Sequence, residues 1–324
     1  MSGERGNNFL PLCSVVICTR DRPEQLDQCL QAVARLAYPN FNVVVVDNAP
    51  SDERPREVAA RRGAHYIVEP VVGLSRARNR GARECTTDII AYLDDDAVPE
   101  PEWLAGLASE FADPQVMAAA GLVLPMRAAD CRNSSRLPAE SSTFHVQERR
   151  IVSRETPLWF ELANFGGIGL GGNMAFRRAV FAFWPGFDLR LGRGTPLHGH
   201  EEHHAFFSLI DRGYRVVFTP RAVVRHPDPP TTEAVRKRRL KDLAASTAYI
   251  TFLFVEEPRY RREVVRYVVQ AIRGKRRAAR LPVPGTQLYP RTVSPGRTFL
   301  AYLSGPFLYA RSCFGQRVKT SSRA

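Results

Sequence analysis

The hydrophobic pattern of the first hundred residues switches between two periods. Ser14-Val-Val-Ile-Cys-Thr19, Phe41-Asn-Val-Val-Val-Val-Asp47, His65-Tyr-Ile-Val-Glu69 and Ile89–Leu93 are short apolar runs rich in strand formers. Continuous apolar character of this length fits strands covered on both faces. Between them, Leu26, Cys29, Leu30 and Val33 recur at helical spacing, with Asp21 as the expected N-cap and Pro23 in the first turn. Residues 52–62 are helix-like and charged, and Gly73–Gly81 opens a further helix. Strands alternating with helices of this size predict βαβ units, a largely parallel sheet and an α/β nucleotide-binding fold.

Further along, Pro99 and Pro101 turn the chain toward another helix, and residues 130–157 are polar and expected to be irregular. Asn164–Asn173 holds five glycines in seven residues, which lets backbone pass close to a ligand. Tyr214–Thr219 and Ala222–His226 read as a closing strand pair. Pro227–Thr232 then reads as a linker. The expected division is a catalytic unit over 1–228 and a helical extension over 229–324.

Charge supports that division. Lys and Arg exceed Asp and Glu by 13 overall, yet residues 221–324 hold 22 basic against 6 acidic side chains, and residues 1–220 are close to neutral. Within the extension, Tyr260, Val264, Val268 and Ala271/Ile272 form an apolar stripe among arginines, the pattern of an interfacial amphipathic helix on anionic lipid. Packing of that stripe on the catalytic unit is the alternative. The charge-free runs Leu243–Val255 and Thr298–Ala310 are shorter than the roughly 20 residues a bilayer span needs. The six cysteines show no CxxC pair or zinc spacing and read as reduced residues of a cytoplasmic protein.

Candidate chemistry gathers at strand ends, where open α/β sheets bind their ligands. The 89–93 run leads into Asp94-Asp95-Asp96, and three adjacent carboxylates repel one another strongly, a problem that a hard divalent cation removes. Thr19-Arg20 and Asp47-Asn48 follow two other strands, and Asp47 suits a ribose hydroxyl or base edge. No G-x-G-x-x-G follows the first strand and no Walker A segment is present, which disfavours nicotinamide and P-loop chemistry. Arg76, Arg78 and Arg80 are too close in sequence to share one face. Arg78 and Asn79 are therefore expected to separate from solvated arginines.

Ser14-Val-Val-Ile-Cys-Thr-Arg20, Val46-Asp-Asn48, Gly73-Leu-Ser-Arg-Ala-Arg-Asn-Arg-Gly81 and Leu93-Asp-Asp-Asp96 resemble the successive motifs of family-2 glycosyltransferases with a GT-A fold. The resemblance implies a nucleotide-sugar donor, a DXD-type site for Mg²⁺ or Mn²⁺, and an inverting mechanism. It places Thr19, Arg20, Asp47, Asn48, Arg78, Asn79, Asp94 and Asp95 at the nucleotide. Asp96 becomes a metal ligand, with Asp94 beside it. The Gly-rich segment, with Gly172 and Asn173, is similar to the part of the family that lies beneath donor sugar and acceptor. Trp184-Pro-Gly-Phe-Asp188 and the stretch from His200 to Tyr214 look like the GFDE and ED-x-D segments. Glu201-Glu202 then fall on the Glu-Asp pair, with Glu202 at the catalytic base. Glu replaces Asp there, His204 replaces the second Asp, and Ser208 a common Arg. His226 matches a histidine that in many relatives helps hold metal or diphosphate.

The implied function is sugar transfer to a carbohydrate or lipid-linked acceptor in polysaccharide, glycolipid or glycoconjugate synthesis. UDP-sugars lead the expected donors, with dTDP and GDP open, and the expected location is cytoplasmic, peripheral on the inner face of the plasma membrane. Two rivals remain. His200-Glu-Glu-His-His204 satisfies the HExxH string of a zinc hydrolase through His200, Glu201 and His204. A nucleic-acid-binding protein acting through the basic extension is the second, although no nucleic-acid fold signature accompanies it.

Overall fold

The computed structural model describes residues 10–126, 148–227, 231–273 and 294–321, with side chains as far as 314. The 130–157 stretch thus lies largely outside the described residues, although Arg150–Val152 forms a strand. Helices flank a nine-stranded mixed sheet, the α/β architecture expected.

The first half follows the apolar pattern closely. Strands β1 (Cys13–Thr19), β2 (Phe41–Asn48), β3 (His65–Glu69) and β4 (Ile89–Asp94) pair in parallel in the order β3-β2-β1-β4. They are joined by α1 (Pro23–Val33), α2 (Arg54–Arg61) and α3 (Leu74–Glu84). Gly81 sets how near α3 can come: a Cβ there would lie 2.6 Å from Val16 Cγ1 of β1. Asp21 does not cap α1. Its backbone is left-handed (φ 54°) and its carboxylate accepts from the backbone N–H and hydroxyl of Ser51, tying the loops after β1 and β2 together.

The second half departs from the parallel expectation. After β5 (Val98–Pro99) and α4 (Trp103–Ser109) come β6 (Val116–Met126), β7 (Arg150–Val152), α5 (Trp159–Asn164) and β8 (Asn173–Arg177). β8 inserts between β4 and β6, antiparallel to both, so a seam of reversed direction runs through the sheet. The expected closing pair is one strand, β9 (Arg215–Pro227), parallel to β6 with a register shift near Gly121. Gly121 sits where any Cβ would lie 2.1 Å from the Ala222 carbonyl oxygen, so the crowding at this bend leaves room for no side chain. The helix α6 (Glu201–Asp211) precedes β9.

The extension is helical: α7 (Thr232–Glu256), α8 (Arg261–Ile272) and α9 (Pro295–Ser321). It does not stand apart. Ala248, Tyr249, Phe252, Leu253 and Val264 belong to the same core cluster as Tyr92, Phe176 and Phe206. Tyr260 stacks on Phe160 and meets Trp159 and Phe207 edge-on, and Tyr267 stacks on Phe165. The apolar stripe of α8 therefore turns largely inward, and only its end, Ile272, is left open. No helix among the described residues is long and apolar enough to cross a membrane.

Candidate active site

β4 delivers Asp94 to the carboxyl edge of the parallel strands, and the turn after it orients the next two carboxylates differently. Asp95 is buried, accepting from the Thr19 hydroxyl (2.7 Å) and from Arg22 (3.1 Å). Burial raises its pKa to about 6 despite Arg22. Asp96 is half-open, 3.2 Å from Arg22 and with Oδ1 3.1 Å from His226 Nε2. Burial works against its charge, yet His226, Arg22 and Arg193 together outweigh burial and hold Asp96 below the usual range.

His226 comes from the far end of β9, and its Nδ1 lies 2.9 Å from the Pro227 carbonyl oxygen. That oxygen can only accept, so Nδ1 carries a proton; Nε2 is the ring atom facing the aspartates, donating to Asp96 when the ring is charged and open as a ligand when it is neutral. One ligand atom from each of Asp94, Asp96 and His226 lies within 4.8 Å of the others. Two carboxylates and an imidazole anchored through its other nitrogen suit Mg²⁺ or, better for the nitrogen, Mn²⁺. Gly172 shapes the same corner. A Cβ on it would stand 2.3 Å from Asp94 Oδ2, so only glycine lets the backbone pass the carboxylate.

Behind this corner lies a buried ion pair joining α3 to α6. Arg78 donates to Glu201 Oε1 at 2.6 Å and to the Gly171 carbonyl at 2.9 Å, and stands 3.7 Å from Asp94. Burial opposes the guanidinium charge, but Glu201 and Asp94 overcome it and Arg78 stays charged. Glu201 is thereby committed to scaffolding. Glu202, one residue on, keeps partial access to solvent. Burial raises its pKa above the ordinary carboxylate value, with Arg78 opposing.

Other residues singled out from the sequence divide by what they touch. Asp47 is buried at the end of β2, accepts from the Tyr66 hydroxyl at 2.9 Å, and keeps Oδ1 without a partner. Its pKa is raised to about 6 by burial. Arg20 is exposed beside Asp21. Asn48 spends its amide on Val71, Glu69 and the Gly73 N–H, shaping the entry to α3. Asn79 grips both backbone groups of Phe187. Asn173 accepts from the Trp103 indole and donates to the carbonyls of Leu122 and Ala222. As expected, Arg78 is buried and Arg76 and Arg80 are not.

Arg22 escaped the sequence reading, since a charged residue just past a strand looks like solvated surface. Its one available signal was a position facing the acidic triplet from the neighbouring loop. A cavity of about 870 Å³ between α3 and α6, lined by Arg76, Arg83, Phe187 and His204 among others, does not include Asp94, Asp95, Asp96, Glu201 or Glu202.

The HExxH string does not assemble a zinc site. His200 pairs with His203 through their Nδ1 atoms (3.1 Å), His204 faces Glu257, and Glu201 is taken by Arg78. Among the described residues, the cluster able to hold a metal is Asp94, Asp96 and His226.

A crossover sheet carrying an acidic turn, a facing histidine and a helix-borne carboxylate pair defines a GT-A glycosyltransferase. The family profile described as "Glycosyl transferase family 2" matches residues 14–182, just over half of the chain, and the chain belongs to that family. It is 28% identical over 222 residues to the glucosyl-dolichyl phosphate glucuronosyltransferase of Haloferax volcanii, covering 66% of this chain and 68% of that protein. An N-acetylglucosaminyltransferase of Rhizobium meliloti is 26% identical over 258 residues, which cover 75% of this chain and 57% of the relative. Among solved structures, the mannosyltransferase PcManGT from Pyrobaculum calidifontis, in complex with GDP-Man and Mn²⁺, superposes with a TM-score of 0.53 at 21% identity. The match covers 93% of this chain and 86% of that one.

Proposed function

We propose that this glycosyltransferase is inverting and metal-dependent, moving a hexosyl or deoxyhexosyl group from a nucleotide-diphosphate sugar to an acceptor hydroxyl. The observation that carries the reading is the convergence of Asp94, Asp96 and His226 at one corner, with Arg78 linking Asp94 to the helix that carries Glu202. Asp94, Asp96 and His226 would hold Mn²⁺ or Mg²⁺, which when bound neutralises the charge of the diphosphate leaving group. Asp47, with its open Oδ1 at the end of β2, binds the ribose or base. Arg78 and Glu201 fix the helix that carries Glu202, and Asn48, Asn79 and Asn173 hold the surrounding loops. Glu202 accepts the proton of the acceptor hydroxyl as that oxygen attacks the anomeric carbon. One displacement from the face opposite the leaving diphosphate inverts the configuration.

UDP-, dTDP- and GDP-sugars are the donors to test. The dolichyl phosphate substrate named for the Haloferax relative supports a lipid-linked acceptor, and with it a peripheral position on the inner face of the plasma membrane. Thermal-shift measurements with each nucleoside diphosphate, with and without Mn²⁺, test the site. Wild type is expected to show a shift that needs both, and Asp96→Ala is expected to lose it while melting cooperatively. An Asp96→Ala protein with the full Mn²⁺-dependent shift would remove Asp96 as a ligand.

A further inference from the structure

α9 presents two unlike faces. Toward α7 it shows Ala301, Gly305, Leu308, Tyr309 and Ser312; Ala301, Gly305 and Ser312 are buried. Gly305 is so close that a Cβ would lie 2.3 Å from Thr247 Oγ1, and the Tyr309 hydroxyl bonds Glu256 at 2.6 Å. The opposite face carries Phe299, Leu303, Phe307 and Phe314, exposed by 62%, 59%, 72% and 67%, with Leu300 on its flank at 65%. Steps of four, four and seven keep these side chains on one stripe. It is roughly 22 Å long at 1.5 Å per residue. No charged residue interrupts it between Thr298 and Ala310, and Arg297 and Arg311 stand exposed at the two ends of that run. Such a face costs free energy in water, and packing among the described residues does not relieve it.

The charge around it says what covers it. Gly305 meets Thr247 and Tyr309 meets Glu256, so α9 runs in the same direction as α7. The Phe299 end therefore lies alongside the stretch of α7 with Arg236, Lys237, Arg238, Arg239 and Lys241. A second copy of the chain would bring two strongly basic extensions together, which is electrostatically unfavourable. An anionic lipid surface meets both demands, headgroups against the arginines and lysines and acyl chains against the stripe.

We propose that the outer face of α9 inserts into the headgroup–acyl boundary of an anionic membrane, lying in its plane, with the basic half of α7 on the headgroups. The surface differs from the one the sequence pattern indicated, because the stripe of α8 is largely used inside the protein. The inference deepens the peripheral placement given above and is tested independently of the transfer chemistry.

The test uses the full chain in sedimentation with phosphatidylcholine vesicles, with and without phosphatidylglycerol. Wild type is expected to bind only vesicles containing phosphatidylglycerol, less so at high salt. Leu303→Glu/Phe307→Glu is expected to weaken that binding on the order of a hundredfold, since two large apolar side chains leave the acyl region. Its Mn²⁺-dependent nucleotide shift should be unchanged. Ile272→Glu, at the open end of the α8 stripe, is expected to bind as wild type does. No binding by wild type, equal binding by the double variant, or loss only in Ile272→Glu would each overturn the proposal. So would a lipid-free dimer of wild type that Leu303→Glu/Phe307→Glu converts to monomer. A protein that binds vesicles as described yet shows no nucleotide shift would overturn the transferase reading and leave this surface standing.

Discussion

Glu202 is a base whose proton affinity is set by its position. Burial disfavours its charge and Arg78 partly restores it, and the net result is a pKa above the ordinary carboxylate range. A general base works only when ionised, so kcat/KM should rise with pH through that raised pKa and then level off. Below it, the protonated carboxyl cannot accept the acceptor's proton. Glu202→Gln keeps size and hydrogen bonding but has no basic oxygen. It should bind donor nucleotide normally and lose about 10²- to 10⁴-fold in turnover, with the acid limb of the profile gone. Near-wild-type turnover in Glu202→Gln beside an inactive Glu201→Gln would move the base by one residue. The Arg78–Glu201 contact speaks against that outcome, because Glu201 Oε1 is engaged by the guanidinium and Glu202 keeps the greater access to solvent.

At the scale of elements, α3 and α6 are held together by one charged pair with almost no solvent access. Removing one partner from such a pair typically costs about 3–5 kcal/mol, because the other charge stays buried alone. Arg78→Ala should lose stability of that order in urea unfolding, and Arg78→Met/Glu201→Leu should recover most of it while staying inactive. A loss under about 1 kcal/mol for Arg78→Ala would mean that the pair is solvated and dispensable.

The same scale shows what could be read in advance. β1 to β4 were legible because each is a short apolar run with helical spacing on either side, and local pattern suffices for βαβ units. β8 was not, since Asn173–Arg177 carries no information on direction and its antiparallel place is settled by distant partners. The two apolar runs on either side of Pro220 and Arg221 belong to one strand, which shifts register there and continues. The aspartates stood out through their position after a buried strand. The scaffolding duty of Asn48 and Asn173 did not, because an amide that binds backbone looks the same in sequence as one that binds ligand.

At the scale of the molecule, the basic extension is part of the folded unit. Tyr249 of α7 is fully buried, bonds Asn164 at 2.7 Å and stacks on His200, the residue preceding α6. Phe252 and Leu253 fill the same core. Losing buried side chains of this size costs about 2–5 kcal/mol each, against a total stability of about 5–15 kcal/mol for a typical domain. A chain ended at residue 231 should therefore lack a cooperative melt and be cut rapidly by protease. A melt within a few degrees of the full chain would show that the extension is an appendage.

The contacts that build the site also have a history in folding. Thr19 meets Asp95 across 76 residues, and Arg78 meets Glu201 across 123. Contacts this distant form only after the intervening chain has been brought together, and they make the site a late product of folding. A nascent chain can finish its first four strands and still be unable to bind its donor, because Glu201 and His226 arrive with α6 and β9. Nucleotide binding would then report the completed sheet, and at saturating concentration the donor would draw partly assembled molecules toward the native state.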